Sequence, residues 1–162
     1  MTGPLDGVKV LDLSRVLAGP WSTQTLADLG AEVIKIERPG TGDDTRAWGP
    51  PFYEDHEGGR SDAAYFLCTN RGKRSVTVDF TKAAGADLIR DLARQSDVVV
   101  ENFSTGIMGR FGLDYATVSR SNPRLVYCSI SAYGRKGPFA DRLGFDPITQ
   151  AESGFMSMNG FP

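Results

Sequence analysis

Apolar runs and amphipathic segments alternate from the start of the chain. Residues 8–13 form a mostly apolar run rich in branched side chains, which predicts a buried strand. Residues 21–29 are predicted to form a helix, because Pro20 suits its first turn and Gly30 can end it. Residues 31–37 predict a second strand. Strand, helix and strand in such close succession predict a βαβ crossover and therefore a parallel sheet.

The same alternation returns after residue 74 and indicates the fold class. Strands are predicted at residues 75–80, 97–102 and 125–131. Helices are predicted after a cap at Thr81, with Ala84, Leu88, Ile89 and Leu92 on one buried face, and also at residues 105–111, at residues 115–120 and from Pro147 toward Met156. The pattern predicts an α/β fold.

A long segment at residues 38–70 interrupts this periodicity. It is rich in glycine and proline, as turns are. Loops of this length in a compact domain are usually functional or disordered. Its aromatic residues favour at least partial burial over disorder: Trp48, Phe52, Tyr53, Tyr65 and Phe66.

Composition and charge are those of a globular protein. The 162 residues carry 18 Lys and Arg against 20 Asp and Glu, a formal net charge of −2, and 40% are hydrophobic. This balance excludes electrostatic nucleic-acid binding as the default and permits a buried core in one domain or part of a larger one. The first residues lack the features of a signal peptide, and no apolar run is long enough to cross a bilayer. We therefore expect a soluble, cytoplasmic protein that binds neither nucleic acid nor membrane.

No cluster of residues in the sequence predicts a metal site. Cys68 and Cys128 lie far apart without a CxxC partner, which excludes a zinc ribbon, and we expect both to be small core residues. Residues 40–44 lack the ligand spacing of an EF-hand, so a turn is expected there. His56 lies in a polar loop and is expected at the surface.

The turns that follow the predicted strands are the candidate binding region. Ligands in open α/β sheets bind beyond the carboxyl ends of the strands, which here lead into residues 14–20, 37–40, 101–104 and 129–134. Arg38 and the nearby Arg110 are candidates to meet a phosphorylated ligand there, and Arg38 can stack on an adenine. The alternative is that the arginines form solvated ion pairs and the glycines only serve turns. Neither a GxGxxG fingerprint nor a phosphate-loop lysine is present, which argues against nicotinamide binding and nucleotide hydrolysis.

Motifs along the whole chain resemble the class III CoA-transferases, which include formyl-CoA transferase, carnitine CoA-transferase and succinyl-CoA:glutarate CoA-transferase. The motifs read LDGVKVLDL at residues 5–13, AGP at 18–20, LGAEVIKIERP at 29–39, GDDTR at 42–46, NRGKRS at 70–75, VENF at 100–103 and GFD at 144–146. The resemblance implies a Rossmann-like large domain that binds CoA at its strand ends, a smaller second domain and an interlocked homodimer. Residues 1–162 are then expected to form the N-terminal part of the large domain, with the remainder of the family fold outside this chain.

The resemblance also implies which residues contact CoA. Val16, Leu17 and Ala18 are expected near the thioester, and Arg38 is expected to pack on the adenine. The rest of the implied CoA surface consists of Val78, Asn102, Phe103, Ile107, Arg110 and Phe111. Leu17 departs from formyl-CoA transferase, which has Gln there, so a polar role is not carried over to this position. No metal is implied.

The reaction implied by the resemblance moves CoA between an acyl-CoA and a small carboxylic acid. A protein carboxylate that attacks the thioester forms an anhydride and then becomes a CoA thioester itself. The family uses an aspartate, which is expected beyond Pro162, outside this chain. Asp146 matches a carboxylate near that nucleophile and is expected to orient or polarise it. The alternative is that Asp146 caps the helix begun at Pro147.

Two other functions stay open. The α-methylacyl-CoA racemases share the fold family but read Gly-His-Asp where this chain reads GFD at residues 144–146, and Phe145 cannot transfer a proton, so the transferase is favoured. The other alternative is a non-catalytic CoA-binding or assembly fragment, because the expected nucleophile and second domain are absent from this chain. Among transferases, GDDTR followed by WGPPF at residues 48–52 resembles the enzymes that use dicarboxylic acids.

Overall fold

The computed structural model describes residues 3–54 and 56–160. Within them, the strands are β1 (Lys9–Asp12), β2 (Glu32–Glu37), β3 (Phe52–Glu54), β4 (Arg60–Ala63), β5 (Arg74–Thr77), β6 (Val98–Glu101) and β7 (Val126–Ser129). The helices are α1 (Ala18–Asp28), α2 (Ala64–Leu67), α3 (Ala83–Arg94), α4 (Ile107–Arg110), α5 (Tyr115–Val118), α6 (Asp146–Glu152) and α7 (Phe155–Met158), with a 3-10 helix at Asp44–Ala47.

The main sheet is parallel throughout and has the spatial order β5-β2-β1-β6-β7. From β1 the chain builds to one side through β2 and β5, and then returns to place β6 and β7 on the other side. This reversal creates a switch point between β1 and β6, where the connections leave the sheet in opposite directions and a crevice opens. The prediction of an α/β fold with a Rossmann-like parallel sheet and flanking helices is confirmed.

Helices cover both faces of the sheet, so β1 is buried on two sides. Leu11 and Leu13 belong to one core with Ile89 of α3. Val10 belongs to a second core, against which Leu26 of α1 packs. Successive strand side chains point to opposite faces, so a strand buried on both faces reads as a continuous apolar run.

The buried face of α3 differs from the predicted one. Ala86, Ile89 and Ala93 are buried, whereas Leu88 is 46% exposed and Ala84 is exposed. Neighbouring helical positions are separated by about 100° around the axis, so a helix that turns Ile89 toward the sheet turns Leu88 away from it. The prediction that Ala84 and Leu88 lie on the buried face is wrong.

The turn between β5 and α3 is longer than the sequence indicated. β5 ends at Thr77, and Asp79 Oδ1 accepts hydrogen bonds from both the hydroxyl and the backbone N–H of Thr81, at 2.5 and 3.1 Å. Lys82 occupies the N-cap position of α3 and makes no capping bond through its side chain. The prediction that Thr81 caps α3 is wrong, because a local side-chain turn engages its hydroxyl first.

Residues 38–70 contain more regular structure than expected. They hold the 3-10 helix, the antiparallel β3–β4 hairpin and α2. Phe66 is buried and Phe52 and Tyr65 are half-buried, whereas Trp48 and Tyr53 keep 51% and 52% of their surface exposed. The predicted partial burial is confirmed for Phe52, Tyr65 and Phe66 and is wrong for Trp48 and Tyr53.

Both cysteines are exposed, so the prediction that they are core residues is wrong. Cys68 follows α2 at the surface. Cys128 lies on β7, which ends the order of paired strands in the sheet and exposes most of its residues. His56 is exposed as expected. Within the described ranges, no cluster of three or more His, Cys, Asp or Glu side chains has the geometry to hold a metal ion, and no helix is long and apolar enough to span a membrane.

Candidate functional site

A cleft of about 660 Å³ opens at the carboxyl ends of β1, β2 and β6. Leu13 and Arg15 reach it from the end of β1, residues 35–38 from the end of β2, and Phe103 from the segment after β6. The cleft therefore lies at the switch point of the sheet, where ligands of open α/β proteins bind. Its volume is within the range of about 300–1,000 Å³ that is typical of small-molecule sites.

The residues expected at the CoA site divide into two groups. Those that line this cleft are Arg38, Val78, Phe103, Ile107 and Phe111. Those that do not line it are Val16, Leu17, Ala18, Asn102 and Arg110. Four residues of the second group still lie at the same sheet edge. Val16 and Leu17 connect β1 to α1, Ala18 begins α1, and Asn102 directly follows β6. Arg110 is exposed at the end of α4.

A second cleft of about 220 Å³ lies beside the first and shares Phe103 and Ser104 with it. Asn102 lines this smaller cleft, together with Arg135 and Gly144. Arg135 is engaged by the protein itself, since its Nη2 donates hydrogen bonds to both carboxylate oxygens of Glu101 at 3.0 and 3.2 Å. The two clefts together extend the candidate site from β2 toward β7.

Three phenylalanines form an aromatic wall in the larger cleft. Phe80 packs edge-to-face on Phe103 and on Phe111, with ring centroids 5.4 and 5.6 Å apart. All three line the cleft. Phe80 was not predicted as a site residue, because the turn after the predicted strand 75–80 was not among the candidate turns.

Lys35 and Asp43 form a buried ion pair at one side of the cleft. Lys35 Nζ lies 2.9 Å from Asp43 Oδ2, and the two side chains are 1% and 0% exposed. Burial alone raises the pKa of a carboxyl group, but the Lys35 charge and the hydrogen bonds from Thr45 outweigh it and hold the pKa of Asp43 below its ordinary value. The Asp43 carboxylate is therefore ionised and is the counter-charge of the Lys35 side chain.

Glu37 and Arg46 form a second, bidentate pair next to the first. Arg46 Nε and Nη2 donate to the two carboxylate oxygens of Glu37 at 2.8 and 2.6 Å, and Ser75 Oγ and the Asp43 N–H add two further bonds. Burial opposes ionisation of Glu37, yet these hydrogen bonds lower its pKa from 4.5 to about 2. The GDDTR motif is thus bound to the protein interior. Its residues Asp43, Thr45 and Arg46 contact each other or side chains of β2.

Side chains also hold the backbone directly after β1. The N–H of Ser14 donates to Asp12 Oδ1 at 2.9 Å, and its carbonyl accepts from Lys35 Nζ at 2.8 Å. The N–H of Arg15 donates to Asn102 Oδ1 at 2.9 Å, and its carbonyl accepts from Asn102 Nδ2 at 2.7 Å. We call residues 14–16 the clamped segment, because side chains from β1, β2 and the end of β6 bind its backbone.

Val16, the last residue of the clamped segment, has a left-handed backbone with φ of 71°. Its N–H points to the Asp43 carboxylate, with the nearer oxygen at 3.3 Å. A β-branched residue is rarely found in this region, and such conformations cost about 1–3 kcal/mol and cluster at functional sites. The surrounding side chains therefore hold a strained residue beside the cleft.

Asp146 is the first residue of α6 and is exposed. Its carboxylate accepts a hydrogen bond from the Gln150 side chain one turn later. Phe145 occupies the N-cap position and no side chain caps the helix. The alternative that Asp146 caps this helix is therefore wrong.

The sequence pattern of CoA-transferase family III matches residues 5–162. The chain belongs to this family. It is 54% identical to the succinate–glutarate CoA-transferase of Agrobacterium fabrum over 98% of the chain, and 48% identical to the succinyl-CoA:glutarate CoA-transferase of Mus musculus over 97% of the chain. A crystal structure of a CaiB/BaiF family protein from Brucella suis superposes on the whole chain with a TM-score of 0.94 and 53% identity.

The chain spans about two fifths of the length of these relatives. It covers 40% of the Agrobacterium fabrum protein, 35% of the Mus musculus protein and 42% of the Brucella suis chain. The fold and the cleft described above therefore correspond to one part of those proteins.

Proposed function

We propose that this chain is the CoA-binding part of an enzyme that transfers CoA from an acyl-CoA donor to a small carboxylic acid. The observation that carries the proposal is the cleft at the switch point, which is lined by Arg38, Val78, Phe103, Ile107 and Phe111. These residues come from separate parts of the chain, and the family resemblance assigns each of them to the CoA surface. Their common cleft supports a CoA site there.

The chemistry of the cleft suits the parts of CoA. The aromatic wall of Phe80, Phe103 and Phe111 offers ring faces and edges to an adenine or a pantetheine arm. Arg38 is exposed at the end of β2 and is free to pack on an adenine as a cation. We place Val16, Leu17, Ala18, Asn102 and Arg110 in the remaining CoA surface.

The proposed reaction passes through a carboxylate of the protein. A carboxylate oxygen attacks the thioester carbonyl, the carbon–sulfur bond breaks, and the CoA thiolate leaves behind a mixed anhydride. The thiolate then attacks the aspartyl carbonyl of that anhydride, which releases the first acid and forms an aspartyl-CoA thioester. The second acid repeats the two steps in reverse. We expect this aspartate beyond Pro162, with Asp146 in a supporting role at the amino end of α6.

The acceptor is proposed to be a dicarboxylic acid. The names of the relatives specify succinate and glutarate, and a further relative from Acetobacter aceti, 44% identical, is an acetyl-CoA:oxalate CoA-transferase. A racemase is disfavoured, because Phe145 stands where proton transfer needs a histidine and its ring has no exchangeable proton. We further propose that the whole protein is a cytoplasmic homodimer and that residues 1–162 form the N-terminal part of its large domain.

A second candidate function is CoA binding without transfer. The observation that favours it is the coverage of the relatives, since the chain spans about two fifths of their length and the proposed nucleophilic aspartate is not among the described residues. The two candidates share the cleft and differ only in turnover.

One experiment separates the candidates. The purified protein is titrated with CoA by calorimetry and incubated with succinyl-CoA and a panel of mono- and dicarboxylic acids, and new acyl-CoA species are read by mass spectrometry. Transfer to one dicarboxylic acid supports the transferase, and binding without transfer supports the second candidate. Absence of CoA binding contradicts both.

A variant pair shows whether binding uses this cleft. Arg38→Ala removes an exposed cation of the cleft, and we expect CoA affinity to fall by about 5- to 10-fold. Arg124→Ala is the matched control, because Arg124 is exposed and lies just before β7, at the opposite edge of the sheet. Equal loss in both variants contradicts a CoA site at the switch point.

A further inference from the structure

Arg15 offers a positive charge to the cleft. Its guanidinium lies over the face of Phe103, with Cζ 4.8 Å from the ring centroid, and it lines the cleft. Its ion-pair partner Asp44 is 3.8 Å away, and the two side chains are 36% and 43% exposed. An exposed pair at that distance contributes little, so the charge of Arg15 is only weakly compensated.

The other charged groups around the cleft differ from Arg15 in this respect. Lys35 is fully compensated by Asp43, and Glu37 is fully engaged by Arg46. Asp79 binds Thr81. Among the described residues that line the cleft, Arg15 and Arg38 are therefore the cations left to attract an anion.

The clamped segment fixes where the Arg15 side chain begins. Both backbone polar groups of Arg15 are bound by Asn102, and the flanking Ser14 carbonyl and Val16 N–H are bound by Lys35 and Asp43. A side chain that starts from a fixed backbone loses less conformational entropy when it binds a ligand. The strained φ of Val16 is consistent with a segment whose conformation is imposed by its surroundings.

We propose that Arg15 binds a phosphate group of CoA, and that Asn102 is a positioning residue that acts through the Arg15 backbone. The proposal deepens the proposed function and depends on it. A planar guanidinium donates two parallel hydrogen bonds to phosphate oxygens, which a lysine cannot do. CoA carries a diphosphate and a 3′-phosphate. The position of Arg15 at the β1/β6 switch point favours the diphosphate, since nucleotide diphosphates bind at that point of open α/β sheets.

The test compares three ligands that differ in their phosphates, with succinyl-CoA as a fourth ligand that adds an acyl carboxylate. CoA has the diphosphate and the 3′-phosphate, dephospho-CoA lacks the 3′-phosphate, and pantetheine lacks all phosphates. Each is titrated by calorimetry into the purified wild-type protein and into Arg15→Gln, Arg15→Lys and the control Arg94→Gln. Arg94 ends α3 and its side chain is 56% exposed in an ion pair with Asp91, outside the cleft lining. Thermal melts establish that each variant is folded.

We expect Arg15→Gln to weaken CoA binding by about 10- to 100-fold, as loss of a charge-assisted hydrogen bond does. Arg15→Lys keeps the charge but loses the planar fork, so a smaller loss is expected, and Arg94→Gln is expected to bind as the wild type does. A diphosphate contact predicts the same loss with CoA and dephospho-CoA and none with pantetheine. A loss confined to CoA assigns Arg15 to the 3′-phosphate.

Three results overturn the proposal. They are wild-type CoA affinity in Arg15→Gln, an equal loss with pantetheine, or a loss that appears with succinyl-CoA and not with CoA, which would assign Arg15 to the acyl carboxylate. If the wild-type protein fails to bind CoA at all, the proposed function fails. If the wild type binds CoA and Arg15→Gln binds it equally well, only the assignment of Arg15 fails.

Discussion

Asn102 binds both backbone polar groups of Arg15, accepting from its N–H at 2.9 Å and donating to its carbonyl at 2.7 Å. The two residues are 87 positions apart in the chain and meet across the β1/β6 switch point. One amide side chain thus joins the loops at the carboxyl ends of the two strands between which a ligand is expected. Asn102 is therefore a structural link as well as a candidate CoA contact.

We predict that Asn102→Ala lowers both stability and CoA affinity. The backbone groups of Arg15 lose their partners, which costs about 1–3 kcal/mol of unfolding free energy. Arg15 also loses its fixed position, so CoA affinity should fall in the molecules that stay folded. Urea unfolding measures the first effect and calorimetry the second.

The double variant separates positioning from direct contact. If Asn102 acts through Arg15, adding Asn102→Ala to Arg15→Gln should weaken CoA binding little further, because the shared effect is already lost. The control is Asn122→Ala, since the Asn122 side chain also binds two backbone groups. It donates to the carbonyls of Ala93 and Ser96, at the far end of α3. This control should lose stability and keep CoA affinity. Fully additive losses in affinity would contradict a positioning role.

Removing one charge of the Lys35–Asp43 pair should destabilise the fold more than removing both charges together. Asp43→Asn leaves the Lys35 charge buried without a counter-charge, and we expect a loss of about 3–5 kcal/mol in urea unfolding. Lys35→Met leaves Asp43 unpaired and should cost a similar amount. The double variant should be more stable than the sum of the single losses predicts, and additive losses would show that the two charges do not interact.

The sequence predicted the sheet well where strands are buried on both faces. β1 and β6 were predicted within two residues at each end, because both of their faces are apolar. Leu11 and Val99 face one core, and Val10 and Val100 face the other. β7 was predicted as a strand, but the exposure of its side chains was not predicted. Among the described strands, β7 pairs only with β6. An edge strand and a central strand share the same local pattern, and only tertiary structure decides which side chains are covered.

The site could be predicted only in part. The strand-end rule indicated the sheet edge at which the cleft opens, and the family resemblance named residues that line it, Arg38 and Phe103 among them. Residues 14–20 were indicated as part of this edge, but the bonds that hold residues 14–16 and the position of Arg15 in the cleft were not predicted. Those bonds to Lys35, Asp43 and Asn102 depend on how three strands are placed beside each other. The signal for Phe80 was its place just after β5, at the same carboxyl edge.

The free energy of unfolding should decrease as the pH is lowered, because Glu37 is protonated more readily in the unfolded chain. Its pKa is lowered from 4.5 to about 2 in the folded protein, so between these values the unfolded state binds more protons. The contribution of Glu37 is therefore complete above about pH 4.5 and is lost as the pH falls toward 2, with a total on the order of 3 kcal/mol. Urea unfolding at several pH values measures the slope.

The matched variants for this slope are Glu37→Gln and Glu32→Gln. Glu37→Gln should be destabilised at neutral pH and should lose much of the acid dependence, while the part caused by Asp43 remains. Glu32 lies on the same strand in an exposed ion pair with Arg74, and an exposed pair contributes little, so Glu32→Gln should keep nearly the wild-type slope. An unchanged slope in Glu37→Gln would assign the acid sensitivity to other carboxyl groups.

Val16→Gly tests whether the clamped segment stores strain. Glycine adopts positive φ at no steric cost, so the substitution should relieve about 1–3 kcal/mol of backbone strain. It also adds conformational entropy to the unfolded chain, which offsets about 0.5–1 kcal/mol of that gain. We expect a net rise in unfolding free energy of about 1 kcal/mol. Val76→Gly is the control, because Val76 lies in a strand with 40% exposure and gains no such relief, so it should be destabilised.

The same variant should weaken CoA binding despite its greater stability. A glycine at residue 16 allows the segment to leave its held conformation, so Arg15 begins from a less fixed backbone and binding must order it again. Stability and affinity would then move in opposite directions, as expected when strain positions a binding residue. A variant that gains stability and binds CoA as tightly as the wild type would show that Asn102 alone positions Arg15.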